Sequence, residues 1–477
     1  MEVNVFLDEF RPFRRGEIAL ARKLRESPAF LHPRRIDLLR YALRLAQLSS
    51  GGDQPDDLVD RIGSFRLRLL QMLSPVLPTD PERIDPEPLD RRIPKVARLV
   101  EQARAAIARA GVISEPRLDA ILAEKRLAIV LGGAAGSGYV FLGALESLEK
   151  MGIRPDYLVG CSVGSILAVI RARTRDFDLE KLLADVQRIR ERGVFRAPDP
   201  NPRYGLPGAL RIDLRQALGD LFAAPRGGQR SLAEMELAVD VLATGLGPGA
   251  LAGSREAYAR MVDADLHGVG DLAELKRSTL VRVVGALVSL AMSRRVVTPL
   301  LLGSDPATAQ LAALDAAGFS SAIPALFQCD IPADDAQSAA ILDRIFEERR
   351  FVGLVDGALS SLVPARYAWE ALEAGRLGSR SYLLLALDAM AETGGVNTPL
   401  VPLLRTISAT ADRDRAFWDL HLNFRNAPPF LDLFPTEARL RRAARSGARE
   451  FAETAELLRT ILAPLPPWKE LAPHARS

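Results

Sequence analysis

The chain has 477 residues, 48% of them hydrophobic, and 63 basic against 60 acidic side chains give a net charge of +3. That length and apolar share suit one large domain with one or two smaller ones around a real core, and so small a basic excess, with arginines and acids interleaved, argues against a nucleic-acid partner. Two cysteines, Cys161 and Cys329, cannot build a disulfide framework, and no uncharged apolar run reaches the ~18 residues of a membrane span.

The opening stretch, MEVNVFLDEFRPF, carries acids and no long apolar run, so no secretory leader is expected. A reducing cytoplasm is the expected location, with peripheral contact to a membrane surface allowed. Residues 1–125 read as a helical N-terminal extension. Ile36, Leu39, Leu43 and Ala46 form one apolar stripe; Leu58, Ile62, Phe65, Leu69 and Met72 form a second; Val96, Leu99, Val100, Ala103 and Ile107 form a third. A Pro- and Asp-rich loop, Ser74 to Pro94, separates the last two. Ser114, with Pro116 just inside, starts a short helix that ends near Lys125. A stabilising bundle is the favoured reading of this region; a module that docks a partner or a membrane is the other.

Residues 126–435 have a different rhythm. Leu127 to Leu131 is a short apolar run ending at two glycines, which suits a buried strand. Gly132 to Gly138 is a loop of small residues, and Tyr139 to Lys150 has helical spacing and stops at Gly152. Ile153 to Val159 reads as a second strand that runs into Gly160-Cys161-Ser162-Val163-Gly164. Val163, Ile166, Leu167 and Ile170 then fall on one helical face. Strand, helix, strand, helix predicts an α/β fold with a parallel sheet. Residues 195–230 are loop-rich, with a helix near Asp213 to Phe222, and a strand is expected over 236–244. Leu280 to Met292 is strongly apolar and is followed by Arg294 and Arg295. A buried helix is the ordinary reading; a lid that meets lipid beside a basic flank is the functional one. Further on, Val296–Leu302, Val352–Val355 and Ser381–Leu387 read as strands and Pro306–Ala317 as a helix. Residues 436–477 give a long arginine-rich amphipathic helix, Thr436 to Leu462, and a Pro-rich tail.

The pentapeptide around Ser162 has the form GxSxG. A serine on a sharp strand-to-helix turn has its hydroxyl exposed, small neighbours such as Gly160 and Gly164 keep the turn free of collisions, and the next helix points its N-terminus at the site. The bland alternative is a tight turn packed against a neighbour. The upstream small-residue loop fits a dinucleotide site poorly. Ala134 and Ala135 stand where close phosphate approach wants glycine, and Asp156 opens the second strand instead of closing it. The better reading is an oxyanion hole built from the backbone N–H groups of Gly133, Ala134, Ala135 and Gly136.

Taken together, these stretches resemble the patatin-like phospholipases. The resemblance rests on LGGAAGSG from Leu131, GALESLEKMGI from Gly143 and DYLVGCSVGSI from Asp156. Downstream, Leu237 to Gly245, SSAIPALF from Ser320 and LVDGA from Leu354 agree in the same order. It covers about Arg126 to Pro435. It implies a three-layer α/β/α domain with a mainly parallel sheet and a serine–aspartate dyad without histidine, Ser162 as nucleophile and Asp356 as base. It further implies lipid ester substrates of the phospholipase A or lysophospholipase type, with no metal and no cofactor. An aspartate is a weak base in water, where its carboxyl ionises near pH ~3.9, but Phe351, Val352, Leu354 and Val355 make an apolar setting that raises this value, and Gly357 and Ala358 let the chain turn tightly toward Ser162. Two positions depart from the family pattern: Ser137 stands where Arg or Lys is usual, and Leu362 where Asn is frequent.

Two other readings are carried forward. A Ser-His-Asp hydrolase using Ser162, Asp388 and His421 has an allowed chain order, though its oxyanion loop belongs much further upstream. A catalytically silent lipid- or protein-binding module would account for Ser137 and Leu362, against which stand the intact Ser162 and Asp356.

Overall fold

The computed structural model describes residues 10–48, 57–111, 113–225, 227–251, 255–266, 296–378, 381–390, 410–430 and 432–475. The stretch Leu280 to Met292 read as a buried helix or lid, with Arg294 and Arg295, lies outside them. The chain divides into two compact units: Met1–Leu127 with Glu370–Leu383 and Glu453–Ser477, and Ala128–Trp369 with Leu384–Ala452.

The first unit is helical. Its main helices are Arg11–Glu26, Pro33–Ala46, Asp57–Leu73, Ile93–Arg109 and Glu115–Ala123. Pro33 suits the first turn because its missing N–H would have no partner there, and the His32 ring accepts the Arg34 N–H in front of it. The apolar stripes meet in one core that includes Leu39, Leu43, Ile62, Leu69, Val96, Val100 and Ile107, joined by Trp468 and Leu471 from the far end of the chain. A charged knot sits within this unit. The Glu17 carboxylate is fully buried and accepts from Arg44 at 2.9 Å and Lys125 at 2.6 Å. Burial opposes its ionisation, but Lys125, Arg44 and Arg40 outweigh that and hold the carboxyl at about 2. Arg44 also donates to the carbonyls of Leu122, Ala123 and Ile461, last-turn groups that have no partner inside their own helices.

The second unit is built on a mainly parallel sheet. Its strands are β1 (Arg126–Leu131), β2 (Tyr157–Cys161), β5 (Ala238–Leu246), β6 (Val297–Leu302), β8 (Gly353–Asp356), β9 (Tyr382–Asp388) and β10 (Leu420–Asn423), in the order β10-β9-β1-β2-β5-β6 with β8 also paired to β5. β1 to β2, β2 to β5 and β9 to β10 are parallel; β6 and β8 run antiparallel to β5. β1 is buried from Leu127 to Leu131, as expected of a strand covered on both faces. Three further strands, β3 (Phe195–Arg196), β4 (Gly208–Ile212) and β7 (Ala325–Gln328), form a small second sheet.

Two expected elements shift. The second strand begins at Tyr157, later than Ile153, because Pro155 has no N–H for the ladder. The helix expected from Pro306 is a short 3-10 turn at Thr308–Gln310 followed by a helix only at Ala313–Ser320. The Thr308 hydroxyl accepts the Gly303 N–H and donates to the Asp305 carbonyl, which locks the chain as a turn there.

β5 decides where Ser162 and Asp356 sit. Its Val241 to Leu246 edge is occupied by β6. On the other edge β2 pairs with Ala238 to Leu242, ending at Cys161 opposite Leu242. β8 continues that same edge from the opposite direction, with Asp356 opposite Ala243. Two strands therefore meet head to head along one edge of a third, and the residue after Cys161 faces the last residue of β8.

A close helix contact backs this sheet. A Cβ on Gly143, in the helix Phe141–Lys150, would collide with the Ala444 carbonyl in the helix Glu437–Leu462. Gly143→Val is expected to destabilise the protein by about 3 kcal/mol, as overpacking against backbone does, and to lower the thermal midpoint. Gly63→Ala, in a helix with nothing within 4 Å of the added carbon, is expected to raise stability by up to about 1 kcal/mol. Equal midpoints for the two variants would contradict this packing.

Candidate active site

Ser162 lies between β2 and the helix Val163–Ala172, with φ 51° and ψ −130°. A side chain in this region costs about 1–3 kcal/mol, so the turn is held from several sides. The Ser162 N–H donates to Ser320 Oγ at 2.9 Å, and the Ser320 hydroxyl donates to the Leu242 carbonyl at 2.6 Å. Its carbonyl accepts the Ser165 hydroxyl at 2.6 Å. A Cβ on Gly164 would run into the carbonyls of Leu131 and Gly132, and backbone likewise stands where one would go on Gly160 and Gly357.

The Ser162 hydroxyl donates to Asp356 Oδ2 at 2.9 Å, and the other carboxylate oxygen accepts the Ala358 N–H at 2.8 Å. Asp356 is 4% exposed. Burial pushes its carboxyl up to about 7; the Ala358 N–H and the Ser162 hydroxyl pull it back only in part. The turn after it is pinned by the Thr244 hydroxyl against Ser360 at 2.9 Å and by the Ser361 hydroxyl donating to Asp414.

The small-residue loop beside Ser162 is anchored at both ends. The Gly133 N–H donates to the Leu362 carbonyl at 2.8 Å and the Gly136 N–H to the Phe430 carbonyl at 2.8 Å. Of the four N–H groups expected to form an oxyanion hole, those of Gly133 and Gly136 are thus engaged, while those of Ala134 and Ala135 have no hydrogen bond among the described residues. Ala135 has φ 44°, a second strained residue in the same site. Ser137 donates its hydroxyl to the Pro428 carbonyl at 2.8 Å, so the position without a cation has become a tether. Leu362 likewise works through its backbone: its carbonyl holds Gly133, and its N–H donates to Thr410 Oγ1 at 2.9 Å.

A cleft opens beside Ser162 along the helix that follows it. Val163, Ile166 and Leu167 form one wall, and Phe195, Phe327 and Phe434 form another. Phe195 stacks on Phe327 at 4.8 Å and meets Phe434 edge-on at 5.3 Å. The other hydroxyls in the lining are satisfied elsewhere, Tyr139 on the Leu433 carbonyl at 2.7 Å and Ser321 on that of Ala317 at 2.9 Å. The described lining carries no charged side chain, so the cleft matches a hydrocarbon chain.

His421 and Asp388 are close to each other, 3.8 Å apart, and His421 stacks on Trp418 at 4.3 Å. Asp388 is the last residue of β9 and His421 lies on β10. β10 is separated from β2 by β9 and β1, three strand spacings or about 14 Å. No hydrogen bond joins His421 to Ser162 among the described residues. Sequence reasoning did not assign the roles of Ser320, Thr410 and Asp414. Ser320 lay inside a quoted motif, whereas nothing local marked Thr410 or Asp414.

The site thus holds a serine on a strand-to-helix elbow of an α/β sheet, bonded to a buried carboxylate. A model of the patatin-like phospholipase family matches residues 129–369. The chain belongs to that family, and lipid acyl ester hydrolysis is the activity that membership supports in general. A search of curated proteins finds no match.

Proposed function

We propose that the protein cleaves acyl esters of lipids, of the phospholipase A or lysophospholipase type, through a Ser162–Asp356 dyad. The observation that carries this is the 2.9 Å hydrogen bond from the serine hydroxyl to a buried carboxylate raised to about 7. A base near neutrality takes the proton more readily than an ordinary aspartate. Ser162 Oγ attacks the ester carbonyl as Asp356 accepts its proton. The N–H groups of Ala134 and Ala135 stabilise the oxyanion, and the acyl chain lies in the apolar cleft. The leaving alcohol takes the proton from Asp356. Water then attacks the acyl-enzyme with Asp356 again as base, releasing the fatty acid and restoring Ser162.

The test is fatty-acid release from a panel of phospholipids and lysophospholipids, together with a histidine control. His421→Ala is expected to keep more than about half of the activity, because a dyad needs no imidazole. A His421→Ala protein that keeps its fold and loses activity as fully as a Ser162 variant would replace the dyad with a Ser-His-Asp arrangement.

A further inference from the structure

The helix Glu437–Leu462 has a buried face and an exposed one. Leu440, Ala443, Ala444 and Phe451 are buried, while Arg442, Arg445 and Arg449 are exposed. Their spacing of three and four residues places them along a single ridge, roughly 8, 12 and 18 Å from the helix start. The neighbouring arginines are already engaged, Arg439 with Asp432 and Arg441 with Glu180 and Glu437. Arg442, Arg445 and Arg449 make no ion pair or hydrogen bond among the described residues, and neither does the exposed side chain of Arg425. Arg425 is brought to the same helix because Glu450 accepts the N–H groups of Arg425 and Asn426, at 2.7 and 3.0 Å, and Ser446 donates to the Asn426 carbonyl at 3.0 Å. Glu450, next to Arg449 in sequence, is thereby engaged with backbone, and exposed Glu453 lies one turn beyond Arg449.

The loop from Arg425 to Phe434 joins this ridge to the site. Its carbonyls at Pro428, Phe430 and Leu433 hold Ser137, Gly136 and Tyr139. Its end, Leu433 and Phe434, lines the apolar cleft beside Ser162. Pro429 is exposed, and Pro428, Phe430, Leu433 and Phe434 are only half-buried. Unpaired arginines next to partly exposed aromatic and proline side chains match a surface with anionic head groups over hydrocarbon. We propose that Arg442, Arg445, Arg449 and Arg425, with Pro428, Pro429, Phe430, Leu433 and Phe434, dock the protein on an anionic lipid bilayer. The inference rests on the reading of the cleft as the acyl site, since docking there would bring its mouth to the lipid.

Binding is measured on Ser162→Ala protein, so that turnover plays no part and an error about the chemistry leaves the result readable. Sedimentation is compared with vesicles of phosphatidylcholine alone and of phosphatidylcholine mixed with phosphatidylglycerol. Tighter binding to the mixed vesicles, weakened by added salt because exposed charges are screened, is expected. Reversing Arg442, Arg445 and Arg449 to Glu should weaken that binding by about tenfold or more, with an unchanged melting midpoint. Reversing Arg98, Arg109 and Arg117, exposed on helices of the first unit, changes the net charge equally and should leave most binding intact. Equal binding to both vesicle types, or equal losses from both triple variants, would overturn the proposal. So would a ridge variant that loses affinity for duplex DNA and keeps its affinity for vesicles.

Discussion

Ser162→Ala is expected to abolish both fatty-acid release and covalent labelling by a fluorophosphonate probe, with a rate loss of at least ~10³-fold, or roughly 4 kcal/mol of barrier. The substitution removes one oxygen and little else. Alanine keeps the N–H that Ser320 receives and the carbonyl that Ser165 bonds, so the elbow has no reason to rearrange. The labelled peptide in wild-type protein should contain Ser162, and mass spectrometry of a digest reads this directly. Label that persists on another serine in the variant would refute the assignment of the nucleophile.

Asp356→Asn should be nearly as inactive, and it should separate activity from stability. Wild-type activity is expected to rise with pH through about 7, where Asp356 becomes the ionised form that can accept a proton. The sign for stability is opposite. In the unfolded chain the carboxyl ionises near its ordinary value of 3.8, while in the folded protein it does so only near 7. The stability contribution is therefore fully present below 3.8 and is lost as pH rises through about 7. The difference corresponds to about 4 kcal/mol. Asparagine never ionises, so the variant should melt no lower than wild type at pH about 8, and the gap should close in mild acid. An inactive variant that also melts well below wild type at that pH would show that Asp356 supports the fold more than the chemistry.

Local pattern carried much of this fold. A strand ending in glycines, a helix with clean spacing and a second strand ending in GxSxG are each set within a dozen residues, where periodicity and turn chemistry are readable. The exceptions have physical reasons. Pro155 moved the start of β2, and β3, with two residues, is too short for any period to mark. Thr410 and Asp414 reach Leu362 and Ser361 across about fifty residues of chain, which no local signal encodes. His421 and Asp388 stand in a permitted chain order, yet strand order puts His421, on β10, three strands away from the end of β2. The N–H groups expected to form an oxyanion hole narrow for a similar reason: Gly133 and Gly136 look interchangeable with Ala134 and Ala135 until the Leu362 and Phe430 carbonyls are in place.

The head-to-head meeting of β2 and β8 on β5 also bears on how the chain reaches its working state. The serine and the aspartate are 194 residues apart in sequence, and neither strand touches the other through a ladder of its own. β2 pairs with β5 in parallel and β8 pairs antiparallel with the remaining half of the same edge, and both pairings are non-local. Closing loops of that length costs entropy before any contact repays it, and long-range pairing of this kind forms slowly. The hydrogen bond between Ser162 and Asp356 therefore needs both long-range pairings on β5 to be in place, so it reports on the completed sheet and not on any one local element.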